Sequence, residues 1–237
     1  EGFGEILPGA EVFVLDEAHQ VPELAGQFFS TTVSARQLVE LEQDSLREAA
    51  AVPGALATLT PLNKRLDTRC KQLRLSLAPH GPRATWPPVR ERPEIKADLD
   101  DLLDDLEQLG MALGQLAETS EGLTQCQARA EEFLRRLDLL LDAQSRDDVQ
   151  WFELSERGFS LTSTPLDVAG PLEEFRRQTH AAWIYTSATL AVGEKFEHFQ
   201  RQMGLQSPET LRLDSPFDYA RCALLYLPAA LPRPNDP

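Results

Sequence analysis

The stretch VFVLDEAH at residues 12–19 decides the predicted fold, because four β-favouring residues end abruptly in two carboxylates and a histidine. Such a run predicts a strand buried on both faces of a parallel sheet. Ligands of open α/β sheets bind beyond the carboxyl ends of the strands, where Asp16 and Glu17 stand. An Asp at this place can hold Mg²⁺, usually through water, and the next Glu can deprotonate an attacking water. His19 could join such a site to a neighbouring lobe.

A second string, AAWIYTSATL at residues 181–190, is another apolar run and is closed by small hydroxyl residues. It predicts a strand with a polar carboxyl end. Each string has a plainer interpretation, since an Asp-Glu pair or a Thr-Ser pair after a strand is often only the cap of the next helix. The two strings in this order are much more specific than either one alone.

The two strings resemble the Walker B (DEAH box) motif and motif III of a helicase. The chain as a whole is similar to the DinG/YoaA group of bacterial XPD-like superfamily 2 DNA helicases, with the YoaA branch as the closer one. The matching segments cover both ends well, whereas the middle matches only in being helical. These segments are residues 12–30, 163–175, 183–190, 196–205 and 215–234.

The resemblance implies an α/β fold with a large all-α insertion, in which part of a RecA-like (P-loop NTPase) helicase lobe is interrupted by a helical arch domain. We expect the Walker B part of lobe 1 at 1–33 and the arch-like insertion at 34–148. Lobe 1 should return at 149–190 with motif III, and residues 191–237 should lead into lobe 2. Both ends look cut, so we expect an internal section, with Walker A and motif VI outside it.

The resemblance also implies an activity, that of an ATP-dependent 5′-to-3′ DNA helicase of the DNA repair or replication type. Such an enzyme couples Mg-ATP hydrolysis to translocation on single-stranded DNA and to duplex unwinding. By motif position, Asp16 would hold Mg²⁺ through water and Glu17 would be the catalytic base. ATP and Mg²⁺ are the implied cofactors. The section by itself is expected to hydrolyse no ATP, since it has neither a phosphate loop nor an arginine finger.

Four further residues take roles from the same resemblance. His19 and Gln20 would sense the state of the nucleotide, and Ser187 and Thr189 would couple hydrolysis to movement of the lobes. Single-stranded and forked DNA are the implied partners. A [4Fe–4S] cluster is possible in the full-length protein, with ligands outside this sequence.

Cysteine, histidine and hydropathy patterns limit other classes of function. The three cysteines, Cys70, Cys126 and Cys222, form no C-x-x-C pair and are too few for a four-cysteine cluster. The four histidines show no metal-ligand spacing. No apolar run reaches the roughly 18 residues of a membrane span, so we expect no membrane insertion. A bacterial cytoplasmic protein associated with the nucleoid is the corresponding expectation.

The net charge of −15 disfavours phosphate binding at face value, but the cations are clustered. Eight basic residues against two acids lie between Pro61 and Arg92, and an acidic helix follows from Glu94. Five of these cations occupy one stretch of a predicted helix and could contact DNA phosphates without reading sequence. Alternatively, they keep the helix soluble or pair with the acidic helix. The five are Lys64, Arg65, Arg69, Lys71 and Arg74.

Helical periodicity dominates the middle of the chain, and no strand is predicted from Ser34 to Asp147. Ser34 and Gln37 should form a capping box, and four amphipathic helices could close as a bundle. The proline-rich stretch 79–93 should be an extended connector. Its Trp86 could stack on a base, although packing on its own domain is the favoured alternative.

Strand character returns with a hairpin of residues 150–154 and 159–163, and a helix over 165–178 should pack outside the lobe. A helix carrying Phe196, Phe199 and Met203 should end at Gly204. Residues 215–219 are typical of a turn, and Cys222–Leu227 of a strand.

Two other classes of function stay open at this point. One is a non-catalytic helical module that binds protein or nucleic acid. The other is a DEAH-type RNA helicase or another RecA-like ATPase, although such RNA helicases usually lack a long insert between the acids and TSATL.

Overall fold

The computed structural model describes residues 9–142, 148–179 and 181–228, and these form two compact units, one ending at Leu205 and one beginning at Gln206. Within these ranges the strands are β1 Val12–Leu15, β2 Thr31–Ser34, β3 Arg83–Thr85, β4 Asp148–Leu154, β5 Phe159–Pro165 and β6 Ala182–Tyr185. The α-helices are α1 Val21–Phe28, α2 Ala35–Ala49, α3 Ala55–Leu77, α4 Pro87–Arg90, α5 Pro93–Leu116, α6 Glu121–Leu141, α7 Ala169–Thr179, α8 Glu197–Met203 and α9 Tyr219–Cys222.

The two predicted site strands pair with each other. β1 and β6 run parallel, with Leu15 opposite Tyr185. The prediction that β1 is buried on both faces is wrong, since Val12 is 50% and Val14 62% exposed. The reason is that, among the residues the structure describes, only the opposite face of the pair is covered: Phe13 stacks on Trp183, and Tyr185 meets Phe199 of α8. This covered face and the helices beside it form a small core.

Helices α2, α3, α5 and α6 contact one another in a closed ring, which we call the helical bundle. Leucines at steps of three and four, such as Leu59, Leu66 and Leu73 of α3, are fully buried inside it. The predicted bundle of amphipathic helices is therefore confirmed. The predicted capping box at the start of α2 is also present: the Gln37 main-chain N–H donates to Ser34 Oγ, and Gln37 Oε1 accepts from the Ser34 N–H at 2.9 Å.

A four-stranded antiparallel sheet, ordered β2-β5-β4-β3, adjoins the bundle. The predicted hairpin is confirmed, with Leu154 opposite Phe159. β2 pairs with β5, so that β2, before the bundle, and β4 and β5, after it, belong to the same sheet. The expected divisions at 33/34 and 148/149 fall inside β2 and β4. The sheet thus links the bundle to the chain on either side of it.

The proline-rich stretch is not the extended connector that the sequence predicts. It contains β3 and α4, and β3 pairs with β4 through Ala84 opposite Phe152. The expectation of no strand between Ser34 and Asp147 is wrong for the same reason. Trp86 is fully buried and its Nε1 donates to the Leu140 carbonyl at 3.0 Å, which confirms packing on its own domain rather than an exposed base-stacking platform.

Two helices near the site follow the predictions closely. α8 ends at Gly204 with the positive φ of 62° that glycine tolerates. α7 begins at Ala169 rather than at residue 165, because Pro165 still belongs to β5. The sequence therefore locates the helices correctly within a few residues.

Residues 206–228 form the described part of the second compact unit. The predicted turn is present, with the Phe217 main-chain N–H donating to Ser215 Oγ at 3.2 Å. The predicted strand at Cys222–Leu227 is wrong: Cys222 ends the short helix α9, and residues 223–228 have no regular structure. The physical reason is that no other strand of the described chain pairs with them, and Leu224 is 91% exposed. In the described part of the chain, no helix is both long and apolar enough to cross a membrane.

Candidate functional site

The carboxyl ends of β1 and β6 bring the two predicted motifs together. Because Leu15 lies opposite Tyr185, the residues that follow, Asp16 and Thr186, stand side by side. Thr186 Oγ1 donates a hydrogen bond to Asp16 Oδ1 at 2.7 Å. The main chains are joined too: the Thr186 N–H donates to the Leu15 carbonyl at 2.9 Å and the Ala18 N–H to the Thr186 carbonyl at 3.0 Å. Contact between residues 170 positions apart is thus built into the strand register.

Glu17 has a left-handed backbone conformation, with φ 51° and ψ 38°. A residue with a Cβ there costs roughly 1–2 kcal/mol, so the surrounding contacts must hold it. The bond from the Ala18 N–H to Thr186 does so on one side, and the Gln20 N–H donates to the Glu17 carbonyl at 3.0 Å on the other. The turn places the Glu17 carboxylate next to the second motif, where Ser187 Oγ donates to its Oε2 at 3.4 Å.

His19 lies at the centre of a polar network that joins the two motifs. Its Nδ1 is 2.9 Å from Ser187 Oγ and 3.2 Å from Glu17 Oε2. Ser187 Oγ in turn lies 3.4 Å from Thr189 Oγ1 and accepts from the Thr189 main-chain N–H. The structure therefore groups four of the predicted residues, Glu17, His19, Ser187 and Thr189. Gln20 is exposed just before α1 and joins them through its main chain.

The Asp16 carboxylate is exposed and has the chemistry of a magnesium ligand. The hydrogen bond from Thr186, together with the main-chain N–H of Glu17, lowers the pKa of Asp16 below its ordinary value. The group is thus ionised at neutral pH. Among the described residues no three His, Cys, Asp or Glu side chains are arranged to hold a metal ion. A single carboxylate with a neighbouring hydroxyl fits Mg²⁺, which keeps much of its water. It fits less well a metal ion that takes all its ligands from protein side chains.

Thr186 is a site residue that sequence reasoning missed. The resemblance of the TSATL string assigns roles only to Ser187 and Thr189. The position of Thr186 directly after the strand could have indicated its place, because in a parallel pair the first residues beyond both strands are neighbours.

The predicted DNA-contacting cations mostly have partners within the domain. Arg65 Nε lies 3.3 Å from Asp105 Oδ1, and Arg69 bridges Asp101 at 2.7 Å and Asp105 at 3.1 Å. Both arginines therefore pair with the acidic helix α5, which was the alternative interpretation of this row.

Of the other three cations of the row, Lys64 and Lys71 are exposed and Arg74 is half-buried. Lys71 pairs with Asp67 in its own helix at 2.6 Å, while Lys64 is exposed. Arg74 donates to the Ser155 carbonyl at 3.0 Å and so joins α3 to the β4–β5 hairpin. None of these bonds excludes phosphate binding by the exposed cations.

The cysteines play a structural part. Burial raises the pKa of Cys70 to about 12 and also raises that of Cys126, so both thiols stay protonated inside the bundle. Cys222 is exposed in the second unit. Protonated, buried thiols are poor metal ligands.

Comparisons with known proteins give relatives along the whole chain, although no protein-family model matches it. All 237 residues align with the ATP-dependent DNA helicase YoaA of Escherichia coli (strain K12) at 35% identity. The YoaA of Haemophilus influenzae is 32% identical over 99% of the chain, and the ATP-dependent DNA helicase DinG of Photobacterium profundum is 27% identical over 96%. The chain spans 37% of the length of each YoaA and 39% of that DinG. Both YoaA identities exceed that of DinG, as the motifs predict.

Proposed function

We propose, from the premise that this chain belongs to the DinG/YoaA-type helicases, that the protein containing it is an ATP-dependent DNA helicase. The observation that carries the proposal is the meeting of the two motifs: Asp16 and Glu17 at the end of β1 bond to Thr186 and Ser187 at the end of β6. If these carboxylates bind the nucleotide, a change in the bound nucleotide can alter their hydrogen bonds and so move the second polar segment. The names of the relatives specify DNA rather than RNA, which favours the DNA-directed alternative.

In this proposal the two carboxylates divide the chemistry of ATP hydrolysis. Asp16 would hold Mg²⁺ through water, and the bound ion would neutralise charge on the nucleotide phosphates. Glu17 would orient the attacking water and accept its proton. The left-handed backbone of Glu17 would set the position of its side chain, and the contact with Ser187 Oγ at 3.4 Å would help to orient the carboxylate.

The polar network would report the state of the nucleotide to the rest of the lobe. A change at Glu17 would alter the bonds of His19 and Ser187, and Thr189 would carry the change toward the residues after β6. Gln20 would join through its position at the start of α1. We extend the proposal to 5′-to-3′ translocation, to single-stranded and forked DNA as partners, and to a role in DNA repair.

An iron–sulfur cluster does not fit the described residues of this chain. Two of the three cysteines are buried and protonated in the bundle, and Cys222 lies in the second unit. Any such cluster of the full-length protein would therefore take its ligands from elsewhere.

Replacing Glu17 with Gln in the full-length protein tests the proposed base. The amide keeps the size of the side chain but cannot accept a proton, so we expect DNA-stimulated ATP hydrolysis to fall by about 10²–10⁴-fold. Binding of a fluorescent ATP analogue should change little. The matched control is Glu23→Gln, which removes an exposed carboxylate in the first turn of α1. Duplex unwinding by Glu17→Gln at the parental rate would show that the base is assigned wrongly.

A further inference from the structure

Two adjacent hydroxyls at the end of β6 serve different carboxylates. Thr186 Oγ1 donates to Asp16 at 2.7 Å, whereas Ser187 Oγ lies 3.4 Å from Glu17 Oε2 and 2.9 Å from His19 Nδ1. The two hydroxyls contact different carboxylates, so either hydroxyl can be removed by substitution without removing the contact of the other. Each acid thus has a different hydroxyl beside it, and the hydroxyl beside Glu17 is shared with His19.

The side chain and the main chain of Thr186 have different functions. The main chain of Thr186 already joins β6 to β1 through its bonds to Leu15 and Ala18. The hydroxyl is therefore not needed to hold the strands together. What it adds is a second bond, beside the one from the Glu17 main-chain N–H, that orients an exposed carboxylate. Removing the hydroxyl should free the Asp16 side chain to rotate while leaving the fold intact.

Threonine suits this task better than serine. Its branched Cβ restricts χ1, so the hydroxyl is held in one direction before it meets the carboxylate. A carboxylate has about four lone-pair positions, and the bonds from Thr186 Oγ1 and from the Glu17 main-chain N–H occupy two of them. The others remain available to a hydrated cation or its waters.

We propose that Thr186 is a positioning residue, which holds the Asp16 carboxylate in the orientation that Mg²⁺–nucleotide binding requires, while Ser187 positions Glu17 for the chemical step. The inference rests on the proposed function, since it concerns the same site. It assigns separate tasks to the two hydroxyls: loss of the Thr186 hydroxyl raises the requirement for Mg²⁺, and loss of the Ser187 hydroxyl lowers the rate at saturating Mg²⁺.

The experiment compares Thr186→Val, Thr186→Ser and Ser187→Ala in the full-length protein. Valine keeps the shape of threonine without the donor, and serine keeps the donor. We expect Thr186→Val to need about fivefold more Mg²⁺ for half-maximal DNA-stimulated ATP hydrolysis, as for the removal of one hydrogen bond. Thr186→Ser should stay within about twofold of the parent on the same reasoning. Ser187→Ala should lower kcat and leave the Mg²⁺ requirement unchanged.

A second measurement does not depend on catalysis. Binding of a non-hydrolysable fluorescent ATP analogue is titrated with and without Mg²⁺. Thr186→Val should weaken only the Mg²⁺-dependent binding. The matched control is Thr85→Val, the same substitution at an exposed strand residue of the other sheet. Thermal unfolding of each variant reports whether the fold is kept; should Thr186→Val unfold, Thr186→Ala takes its place.

The outcomes separate the two proposals. A parental protein that neither binds the analogue nor hydrolyses ATP would overturn the proposed function and this inference with it. Suppose that the parent is active but that the variant without a donor at position 186 shows unchanged Mg²⁺ dependence in both measurements. That result would overturn the inference and leave the proposed function standing. An equal rise in Mg²⁺ requirement for Ser187→Ala would overturn the division of tasks between the two hydroxyls.

Discussion

The helical bundle and the β1–β6 pair differ in how far their apolar side chains are exposed to solvent. In the bundle, leucines such as Leu66, Leu73 and Leu106 are at most 1% exposed. In the strand pair, Val14 is 62% and Ile184 47% exposed, and one face has no cover among the described residues. The bundle is a closed ring of helices that bury one another. The strand pair has a single packed face and places its polar residues at one end.

The difference shows that packing and chemistry are assigned to separate regions. The interior of the bundle contains mostly leucine, and three arginines, Arg65, Arg69 and Arg129, pair with acids of a neighbouring helix. The small core that covers one face of the strand pair positions the carboxylates and hydroxyls at the carboxyl ends of β1 and β6. We therefore expect substitutions in the bundle to change stability and substitutions at the strand ends to change nucleotide chemistry.

The strongest test of this comparison is a cavity in the bundle. Leu106→Ala should destabilise the chain by about 2–5 kcal/mol, because truncating a fully buried leucine leaves a void that its neighbours cannot fill. Val14→Ala on the open face of β1 should cost less than about 1 kcal/mol. Urea unfolding followed by far-UV circular dichroism measures both. The control within the bundle is Leu139→Ala, a residue that is 59% exposed. Similar destabilisation by Leu106→Ala and Val14→Ala would contradict the comparison.

A second test asks whether the bundle also binds DNA. Four cations of the row on α3 are replaced together by Gln: Lys64, Arg65, Lys71 and Arg74. In the full-length protein we expect single-strand affinity to fall about tenfold, and its salt dependence to flatten by about 0.7 in slope for each phosphate that is no longer neutralised. Fluorescence anisotropy over a range of salt concentrations measures both quantities.

The control for that test removes four other exposed cations of the bundle and so makes the same change in net charge. These are Arg36, Arg47, Lys96 and Arg135. If the first variant binds like the parent, the row on α3 serves only solubility and pairing, and the bundle is purely structural. If both variants weaken binding equally, the effect is one of overall charge rather than of a defined surface.

The smallest expected effect concerns an ion pair that closes the ring of helices. Arg129 of α6 donates to Asp44 of α2 at 2.6 Å, and this bond holds the pKa of Asp44 below its ordinary 3.8. A lowered pKa in the folded state stabilises the fold above 3.8, and that stabilisation is lost as the pH falls through the lowered value.

The variant Asp44→Asn measures this contribution together with that of Arg47, whose Nη1 lies 3.0 Å from Asp44 Oδ1. Because the side chains of Asp44 and Arg129 are about one-third exposed, the substitution should cost less than about 1 kcal/mol at pH 7. The difference from the parent should disappear as the pH falls below the lowered pKa, where Asp44 itself becomes protonated. Urea unfolding at several pH values gives the result, with Asp104→Asn, an exposed acid on α5, as the control. A difference that stays constant with pH would show that the ion pair is not its cause.

The helices of the bundle could largely be predicted from the sequence. The segments that connect or follow them could be predicted less well. Leucine spacing located α3, α5 and α6, and the Ser34–Gln37 pattern located the start of α2. β3 was missed because its three residues lie among prolines and take their strand form from pairing with β4, some 70 residues later. The strand expected at Cys222–Leu227 was wrong because an apolar run alone does not supply a neighbouring strand, and none of the described strands pairs with it.

The sequence by itself determined the element types and the chemistry at their ends: two strands that close in Asp-Glu and in Thr-Ser, and four amphipathic helices between them. These follow from local periodicity and side-chain type, which each segment carries with it. Only the tertiary structure decided that Thr186 meets Asp16, that Arg69 pairs with Asp105, and that Trp86 is enclosed. Such partnerships depend on strand register and helix packing, in which residues far apart in the chain are brought within a few ångströms by the burial of other side chains.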